Sequence, residues 1–460
     1  MLSEESIIAT TPEAIEEVMN IKSYDFQKPA HQRKLQAFFL GDGVASADED
    51  DHRYLRKAIA PAFSHQRVRN MYSGFWRKSV QLTKGVDQAV TQSRSESTAQ
   101  LLDVKIDDAP ETAVIEMVHW ANKVTLDLIG IATIGRDFQT LQDENDPIVA
   151  NYEELLHPTT GKVVYLAASL MFGLNFVRRL PWQLPAKIDA VVSRLRSTCL
   201  DLVKEKRGSI DSGVEKGEDG SVASLLITSN DFSDGDIATH VQTCLPAGHE
   251  TTASSFGWAL YLLATHPDIQ AALRDEIRKH VPSMVPNYHS PTDAELASIL
   301  ESLPLLNGVM NEAFRLFPAL PVGVRATVRP TTLMGHQVPV GITAIICPWA
   351  VQRNPKVWGD NCDEFVPERW IDTDEKTGIR TPNKLGGASS TYAMLLFFYG
   401  PRTCPGQEFA RAEMRCLLAA FVGKFEMALA DPRKPILPHT ITATRPKHGL
   451  HLRLTTLSDW

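Results

Sequence analysis

Several kinds of sequence feature are missing from this chain, and each absence argues against a class of protein. The 460 residues include six cysteines, but these form no C-x-x-C pair and no zinc-ligand spacing. Neither a zinc site nor a secreted disulfide framework is therefore expected. The chain also has no tandem repeat, no Gly/Ser-rich linker and no low-complexity tract. The formal net charge is −8, which argues against nucleic acid as a partner.

Long hydrophobic runs are missing as well. The strongly apolar, uncharged run Val163–Val177 is shorter than the ~20 residues that a helix needs to cross a bilayer. The N-terminus is polar and acidic, so neither a signal peptide nor a spanning helix is predicted. Two interpretations of the run remain open. It forms either a core helix with its connecting loop or an interfacial segment, because Lys162, Arg178, Arg179 and Trp182 flank it as they would at a membrane surface.

What is present is a large apolar fraction with mostly helical periodicity. Hydrophobic residues make up 43% of the chain, enough to bury a large core. The pattern predicts helices that open at Thr11 and at Ser233, and others over Val114–Gly135, Asp146–His157 and Pro185–Arg207. It also predicts a strand within residues 4–8, short strands within Val322–Pro348, a mobile surface loop over Gly208–Gly220, and a closing hairpin in the tail Arg445–Leu457.

The segment FFYGPRTCPG, Phe397 to Gly406, places a cysteine in a turn before a helix. Gly400 permits a turn that is closed to residues with a Cβ, and Gly406 lets backbone approach a flat ligand closely. Pro405 is expected at the first position of the helix that follows. The positive end of that helix and the nearby Arg402 both favour a thiolate at Cys404.

A second pattern, AGHETT, lies in the middle of the long helix predicted from Ser233 to about residue 265. Pro246 removes one backbone donor, so we expect the helix to be kinked or opened there. Glu250 beside Thr251 at such a point can hold water and relay protons. In the alternative interpretation, Thr251 bonds back to a helix carbonyl and Glu250 is at the surface.

Two further patterns combine charged residues with helical spacing. His52 and Arg56 are four residues apart, and Glu312 and Arg315 are three apart, so each pair shares one face of a helix. The second pair lies among large apolar residues, where an ion pair must be fully hydrogen-bonded to be tolerated.

Together these motifs resemble those of the cytochrome P450 family of haem-thiolate enzymes. H-x-x-x-R, A-G-x-E-T-T, E-x-x-R with a later P-E-R-W, and F-x-x-G-x-R-x-C-x-G occur in the family's order. The resemblance covers nearly all of the chain. It implies a mainly α cytochrome P450 fold, a single large helical domain over residues 4–460 with a small β region.

The resemblance also implies roles for individual residues. Cys404 would be the axial ligand of the iron of haem b, with Phe397 packed beside the ligand loop. Thr251 would steady dioxygen, and Glu250 would supply protons. Arg369 would join Glu312 and Arg315 in a structural network. The implied haem-binding residues, which include four propionate contacts, are Arg402, His52, Arg56 and Arg325, together with Gly400, Gly406, Ala247 and Gly248.

The implied activity is insertion of one oxygen atom of O2 into a lipophilic small molecule. No flavin or nicotinamide fingerprint is present, so electrons would come from NADPH through a separate cytochrome P450 reductase, with cytochrome b5 as a further candidate partner. The overall sequence pattern resembles that of filamentous-fungal members of the family, which suggests a terpenoid or polyketide substrate in secondary metabolism. Substrate contacts are expected from Leu40–Ser46, Leu166–Phe172, Gln242–Ala247, Leu320–Val324 and Thr440–Thr442.

The resemblance also suggests where the protein is located, and it leaves two alternative functions open. Microsomal members begin with a membrane helix that is not found here, so we expect the native protein on the cytosolic face of the endoplasmic reticulum and this chain at most at the membrane surface. A haem-thiolate isomerase or dehydratase remains an alternative, although such enzymes often lose the Glu250–Thr251 pair. A truncated, non-catalytic pseudo-enzyme is the third hypothesis.

Overall fold

The computed structural model describes residues 5–93, 112–143, 146–156, 159–214, 217, 219–281, 291–440, 442–457 and 460. The helices are α1 (Pro12–Glu16), α2 (Ala30–Leu40), α3 (Glu49–Ile59), α4 (His65–Arg69), α5 (Tyr72–Gln92), α6 (Met117–Ile134), α7 (Pro147–Leu156), α8 (Thr160–Phe172), α9 (Leu174–Val177), α10 (Gln183–Asp211), α11 (Val222–Ser229), α12 (Asp234–Thr265), α13 (Pro267–His280), α14 (Asp293–Ser302), α15 (Pro304–Leu316), α16 (Pro348–Val351), α17 (Pro355–Trp358) and α18 (Gln407–Lys424).

The strands are short and form several small sheets around the helices. They are β1 (Ser6–Ala9), β2 (Phe26–Gln27), β3 (Thr112–Glu116), β4 (Gly323–Thr327), β5 (Thr331–Leu333), β6 (His336–Val338), β7 (Thr343–Ile346), β8 (Ile371–Thr373), β9 (Arg380–Pro382), β10 (Phe425–Leu429), β11 (Pro438–Thr440), β12 (Thr444–Pro446) and β13 (His451–Thr456). One sheet has the order β1-β7-β4-β2 and another the order β10-β13-β3, while β5-β6, β8-β9 and β11-β12 are two-stranded. Only β1 and β7 pair in parallel among these strand pairs.

The longest helix, α12, forms the centre of the molecule. It begins at a capping box in which the Ser233 hydroxyl accepts from the Asp236 N–H and the Asp236 carboxylate accepts from the Ser233 N–H. Helices α6, α10, α15 and α18 pack around it, and most of its residues are buried. The largest apolar core lies between these helices. A smaller core lies between α1 and the sheet that contains β7.

Helix α12 continues through Pro246 over its full 32 residues. Because proline has no N–H, the carbonyl of Gln242 loses its donor within the helix. The buried hydroxyl of Tyr152 on α7 donates to this carbonyl at 3.3 Å. A tertiary contact therefore satisfies the backbone group that the proline leaves unpaired, and the expected opening of the helix is not seen in its hydrogen-bonded span.

Three predicted elements differ in the structure. The helix expected from Val114 begins only at Met117, because residues 112–116 pair with β13 as strand β3. The loop expected from Gly208 begins later, because α10 extends to Asp211. The tail does not fold back on itself as a hairpin, because β13 lies between β10 and β3; the hairpin at this end of the chain is instead β11-β12.

The uncharged run Val163–Val177 divides at Gly173 into the end of α8 and the short α9. Tyr165 and Val177 are buried, whereas Met171, Phe172 and Phe176 are exposed. One side of the segment therefore lies in the core, as the first interpretation expects, and the other side is exposed; the interfacial interpretation stays a prediction. Among the helices that the structure describes, none is long and apolar enough to pass through a membrane.

Candidate functional site

A cavity of about 860 Å³ lies between α12 and the segment that carries Cys404. It brings together most residues singled out from the sequence: Phe397, Arg402, Cys404, Gly406, Ala247, Gly248, Glu250, Thr251, His52, Arg56 and Arg325. All five predicted substrate regions contribute, through Leu40, Val44 and Ala45, Leu166, Thr243, Cys244, Pro246 and Ala247, Leu320 to Val324, and Thr440 and Thr442. Gly400 and the network Glu312, Arg315 and Arg369 are not among the lining residues that the structure describes.

The Cys404 turn is held by backbone hydrogen bonds and close packing. The Cys404 N–H donates to the Phe397 carbonyl at 2.9 Å. Gly400 has a φ of +73° and packs so tightly that an added Cβ would lie 2.1 Å from the Met19 carbonyl oxygen, so no other residue fits this turn. Helix α18 begins at Gln407 with Gly406 as its N-cap. The prediction of Pro405 as the first helical residue is therefore wrong by two positions.

The electrostatics of Cys404 differ from the expectation. Burial raises the pKa of the thiol, while a hydrogen bond from the Gly406 N–H and the charge of Arg56 act to lower it. Arg402 does not contribute to this balance, because its guanidinium donates to Asp48 at 2.8 Å and to the Ser23 carbonyl. The expected help from Arg402 is therefore supplied by Arg56, which also donates to the carbonyl of Thr403.

One side of the cavity carries a cluster of basic residues, which we call the cation cluster: Lys28, His52, Arg56, Arg325 and Arg402. Burial, then the charge of Arg325, lowers the pKa of Lys28 to about 8. Burial, then the charges of Arg402 and its neighbours, lowers the pKa of His52 to about 4. Its buried Nδ1 has no hydrogen-bond partner, and neither does Nε of Arg402. The cluster therefore holds more positive charge than Asp48 neutralises.

The lining of the cavity also contains an acid and an alcohol of α12, Glu250 and Thr251. Glu250 is 4% exposed and accepts a hydrogen bond from Arg445 on β12. Burial raises the pKa of Glu250, and the contacts with Arg445 and Thr442 oppose that rise. The Thr251 hydroxyl donates to the Ala247 carbonyl at 2.8 Å. The alternative interpretation was therefore right about the bond of Thr251 and wrong about Glu250, which is buried.

Gly248 lines the cavity, and the packing of two helices also requires a glycine at this position. A Cβ at this residue would lie 2.5 Å from side-chain atoms of Ile129, so the absence of a side chain lets α12 approach α6 closely.

Comparison with known proteins agrees with this geometry. The sequence model described as Cytochrome P450 matches residues 1–453. The cytochrome P450 monooxygenase sphH of Aspergillus fumigatus is 34% identical over 459 residues, covering 99% of this chain and 80% of the relative. The cytochrome P450 monooxygenase ptmK of Penicillium ochrochloron is 32% identical over 451 residues, covering 98% of this chain and 84% of the relative.

The chain belongs to the cytochrome P450 family. Among solved structures, the haem domain of cytochrome P450DA superposes with a TM-score of 0.74 at 20% identity, covering 98% of this chain and 87% of that one. This likeness concerns the fold, and it confirms the predicted mainly helical cytochrome P450 architecture. The predicted enzyme class, a cytochrome P450 monooxygenase among the oxidoreductases, is confirmed by the family and its named relatives.

The family implies a haem cofactor, and the cavity of this cytochrome P450 fits one in two respects. A thiol at Cys404 faces the cavity, as an axial thiolate ligand requires. The positive charge of the cation cluster exceeds what Asp48 neutralises, and the two propionates of haem would balance the excess. Within this cluster, Nε of Arg402 and Nδ1 of His52 have no hydrogen-bond partner in the protein.

Two residues of this P450 site were missed from the sequence. Lys28 belongs to no motif, and it reaches the cation cluster because β2 pairs with β4, the strand of Arg325. Arg445 lies in the tail, far along the chain from Glu250, and only the β11-β12 hairpin brings the two together. No local pattern could have indicated either residue, since both depend on strand pairing between distant segments.

Outside the cavity, Glu312 and Arg315 are completely buried. Glu312 accepts hydrogen bonds from Arg315 at 2.7 and 2.8 Å and from Arg369 at 2.9 Å. Trp370 Nε1 and the Val366 N–H donate to the same carboxylate. Arg315 also donates to the carbonyls of Gln352, Cys362 and Glu364. The network therefore ties α15 to the segment before β8 and meets the hydrogen-bonding demand of a buried charge pair.

Proposed function

We propose that this cytochrome P450 uses haem b to insert one oxygen atom of O2 into a lipophilic small molecule. The observation that carries the proposal is that Cys404 and the pair Glu250–Thr251 face a single cavity whose border holds the cation cluster. Much of the remaining lining is aliphatic or aromatic, including Leu35, Phe39, Ile129 and Leu166, which suits an apolar substrate. We further propose a terpenoid or polyketide of secondary metabolism as the substrate class, a proposal that rests on the resemblance to fungal monooxygenases.

The proposed roles of the residues at the haem follow from their positions. Cys404 holds the iron, Phe397 packs beside the ligand loop, and Gly406 leaves room next to the sulfur. Arg402, His52, Arg56, Arg325 and Lys28 bind the propionates. Haem held by a thiolate supplies the oxidising chemistry, because the electron density of the sulfur favours cleavage of the O–O bond.

The proposed roles of the cavity-lining residues of α12 are to transfer protons and to leave space for the ligands. Glu250, held by Arg445, passes protons from the protein interior toward Thr251. The Thr251 hydroxyl, which donates to the Ala247 carbonyl, would exchange that partner for one in the cavity and so offer a hydrogen bond where haem would bind dioxygen. Ala247 and Gly248, which line the cavity, have small or no side chains and would leave room beside the helix for haem and substrate. The intact pair favours the monooxygenase over the isomerase alternative.

The proposed partners act at the surface. Two electrons per turnover come from NADPH through a cytochrome P450 reductase, with cytochrome b5 as a second candidate donor. Met171, Phe172, Phe176 and Trp182 are exposed at the α8–α10 region, and we place this apolar patch at the cytosolic surface of the endoplasmic reticulum. Flotation with lipid vesicles tests this placement. A variant with Phe172→Ser and Phe176→Ser should stay with the soluble fraction, and equal flotation would contradict it.

The haem assignment is tested by the absorption spectrum of the reduced, carbon-monoxide-bound protein. We expect a thiolate-type Soret band, and Cys404→Ala should abolish it. Cys347→Ala, which removes a half-buried cysteine outside the cavity lining, should leave it unchanged. Absence of the band in the wild type would favour the pseudo-enzyme. With the band present, substrate-dependent NADPH oxidation with added reductase separates the monooxygenase from an isomerase, which consumes no NADPH.

A further inference from the structure

The loop between α2 and α3, residues 41–47, contributes one wall of the cavity through Val44 and Ala45. The loop is compact, because the N–H groups of Ser46 and Ala47 both donate to the Gly43 carbonyl at 3.1 Å. Opening of the loop would break both bonds, so the exchange of these amide hydrogens with solvent reports on how firmly the wall is held.

Helix α12 holds the beginning of this loop. The Thr243 hydroxyl donates to the carbonyl of Leu40, the last residue of α2, at 2.7 Å. Gly43 approaches the same side chain so closely that an added Cβ would lie 2.6 Å from Thr243 Oγ1, and a side chain at this position would have to displace it. This attachment uses protein groups alone, so it does not depend on a cofactor.

The second attachment joins the middle of the loop to the cation cluster. The Lys28 ammonium donates to the Ala45 carbonyl. In the part of the chain that the structure describes, Lys28 is the only member of the cluster that bonds to the backbone of the loop. An ammonium has three N–H donors, so Lys28 can hold the Ala45 carbonyl and a carboxylate at the same time.

The strength of this second attachment depends on the charge around Lys28. Burial lowers the pKa of Lys28 to about 8, and the charge of Arg325 adds to this effect, so the ammonium form is disfavoured in the haem-free protein. A propionate beside Lys28 would favour the ammonium. Hydrogen bonds from a charged donor are roughly twice as strong as those between neutral groups, so haem would strengthen the bond to Ala45.

We propose that Lys28 is the positioning residue through which haem fixes the loop of residues 41–47 as a wall of the substrate cavity. The proposal rests on the proposed function, because it assumes that a haem propionate binds Lys28. Val44 and Ala45 then take their final positions only when haem is bound. The cofactor thus completes the cavity that the substrate enters, and Lys28 acts on the substrate site through the loop.

Hydrogen–deuterium exchange of the haem-free and haem-loaded protein, followed by mass spectrometry of a peptide that covers residues 41–47, tests this role. We expect haem to slow exchange in this peptide at least about tenfold, because opening the loop then breaks a charge-assisted bond. In Lys28→Met the slowing should fall below about threefold. Lys28→Arg, which keeps a charge and several donors, should restore it.

Two comparisons separate an effect on the loop from a general effect of haem on stability. The peptide that contains Cys404, whose N–H donates to the Phe397 carbonyl, should be slowed by haem equally in Lys28→Met and in the wild type. Thr243→Val removes the other attachment of the loop. It should speed exchange in residues 41–47 by a similar factor with and without haem.

Equal slowing of the loop in Lys28→Met and in the wild type, or no slowing in the wild type, would overturn the role of Lys28. Haem is kept in excess, because Lys28→Met should release it faster, and the carbon-monoxide spectrum of each haem-loaded sample verifies its occupancy. Absence of the thiolate-type band in the wild type would refute the proposed function itself, whereas a normal band with a loop that does not respond to haem refutes only the role of Lys28.

Discussion

The guanidinium of Arg445 on β12 donates to the buried carboxylate of Glu250 on α12. The same strand is fixed to α12 at two further points, because Ser254 Oγ and Trp258 Nε1 both donate to the Thr444 carbonyl. Glu250, Ser254 and Trp258 are spaced four residues apart and so share one helical face. The β11-β12 hairpin, which also places Thr440 and Thr442 at the cavity, is therefore joined directly to the proposed proton donor.

Arg445→Leu should destabilise the protein in a pH-dependent way. It leaves Glu250 buried without its cation, a situation that typically costs about 3–5 kcal/mol. The variant further raises the pKa of Glu250, which burial already raises. Because the pKa of Glu250 is higher in the folded variant than in the unfolded chain, the folded state binds the proton more tightly. The loss of stability should therefore grow as pH rises above about 4.5 and shrink in acid. Urea unfolding at several pH values measures it.

Two further variants show whether the effect belongs to the buried pair. The double variant Arg445→Leu/Glu250→Leu should recover much of the lost stability, because no charge is then left unpaired. Arg433→Leu removes a largely exposed guanidinium from its pair with Asp431 and should change little. A deficit in Arg445→Leu that does not depend on pH, or one no larger than in Arg433→Leu, would contradict the prediction.

Glu312→Gln should be strongly destabilising, because Arg315 remains as a fully buried cation without its carboxylate. Loss of one partner of a buried pair costs about 3–5 kcal/mol. Glu368→Gln is the control, because Glu368 is the residue next to Arg369 in sequence but pairs with Arg380 at the surface, so little loss is expected. Urea unfolding of both variants measures the difference in their free energies of unfolding. Similar stabilities would mean that the bonds of Arg315 to backbone carbonyls hold this region without Glu312.

The sequence allowed prediction of those parts of the site that depend on short spacing. Glu250 beside Thr251 and Glu312 near Arg315 lie on single helices, so helical periodicity places each pair correctly. Pairings between distant strands could not be predicted, which is why Lys28 and Arg445 were missed. The same cause explains the error at Val114, because its strand exists only through pairing with β13. The charge balance at Cys404 was also misjudged, since Asp48, outside every motif, draws Arg402 away.

Lys28→Met should have opposite effects on the haem-free and haem-loaded protein. Burial lowers the pKa of Lys28 to about 8 in the absence of haem, so its charged form destabilises the folded state below that pH. The haem-free variant should therefore be more stable than the wild type at pH 7, by up to about 3 kcal/mol, and this advantage should vanish as pH rises toward 10.5.

The haem-loaded Lys28→Met variant should release haem faster, because it lacks one proposed partner of a propionate. Transfer of haem to apomyoglobin measures the rate. Lys34→Met, which replaces an exposed lysine of α2, should affect neither quantity. Unchanged haem release in Lys28→Met would remove Lys28 from the set of propionate partners, while leaving the stability prediction to be judged separately.

His249 should contribute to acid sensitivity. The imidazole is 5% exposed, its Nδ1 lies 3.1 Å from the Leu245 carbonyl oxygen, and Tyr152 and Arg445 face it. Burial lowers its pKa to about 4, whereas an unfolded histidine titrates near 6.5. The unfolded state therefore binds the proton first, and up to about 3 kcal/mol of stability should be lost as pH falls from about 6.5 to 4.

His249→Gln should flatten the stability profile in this range, whereas His65→Gln, at an exposed position, should not. An equal slope in His249→Gln and wild type would show that His52 and His240, whose pKa values burial also lowers, account for the acid sensitivity instead.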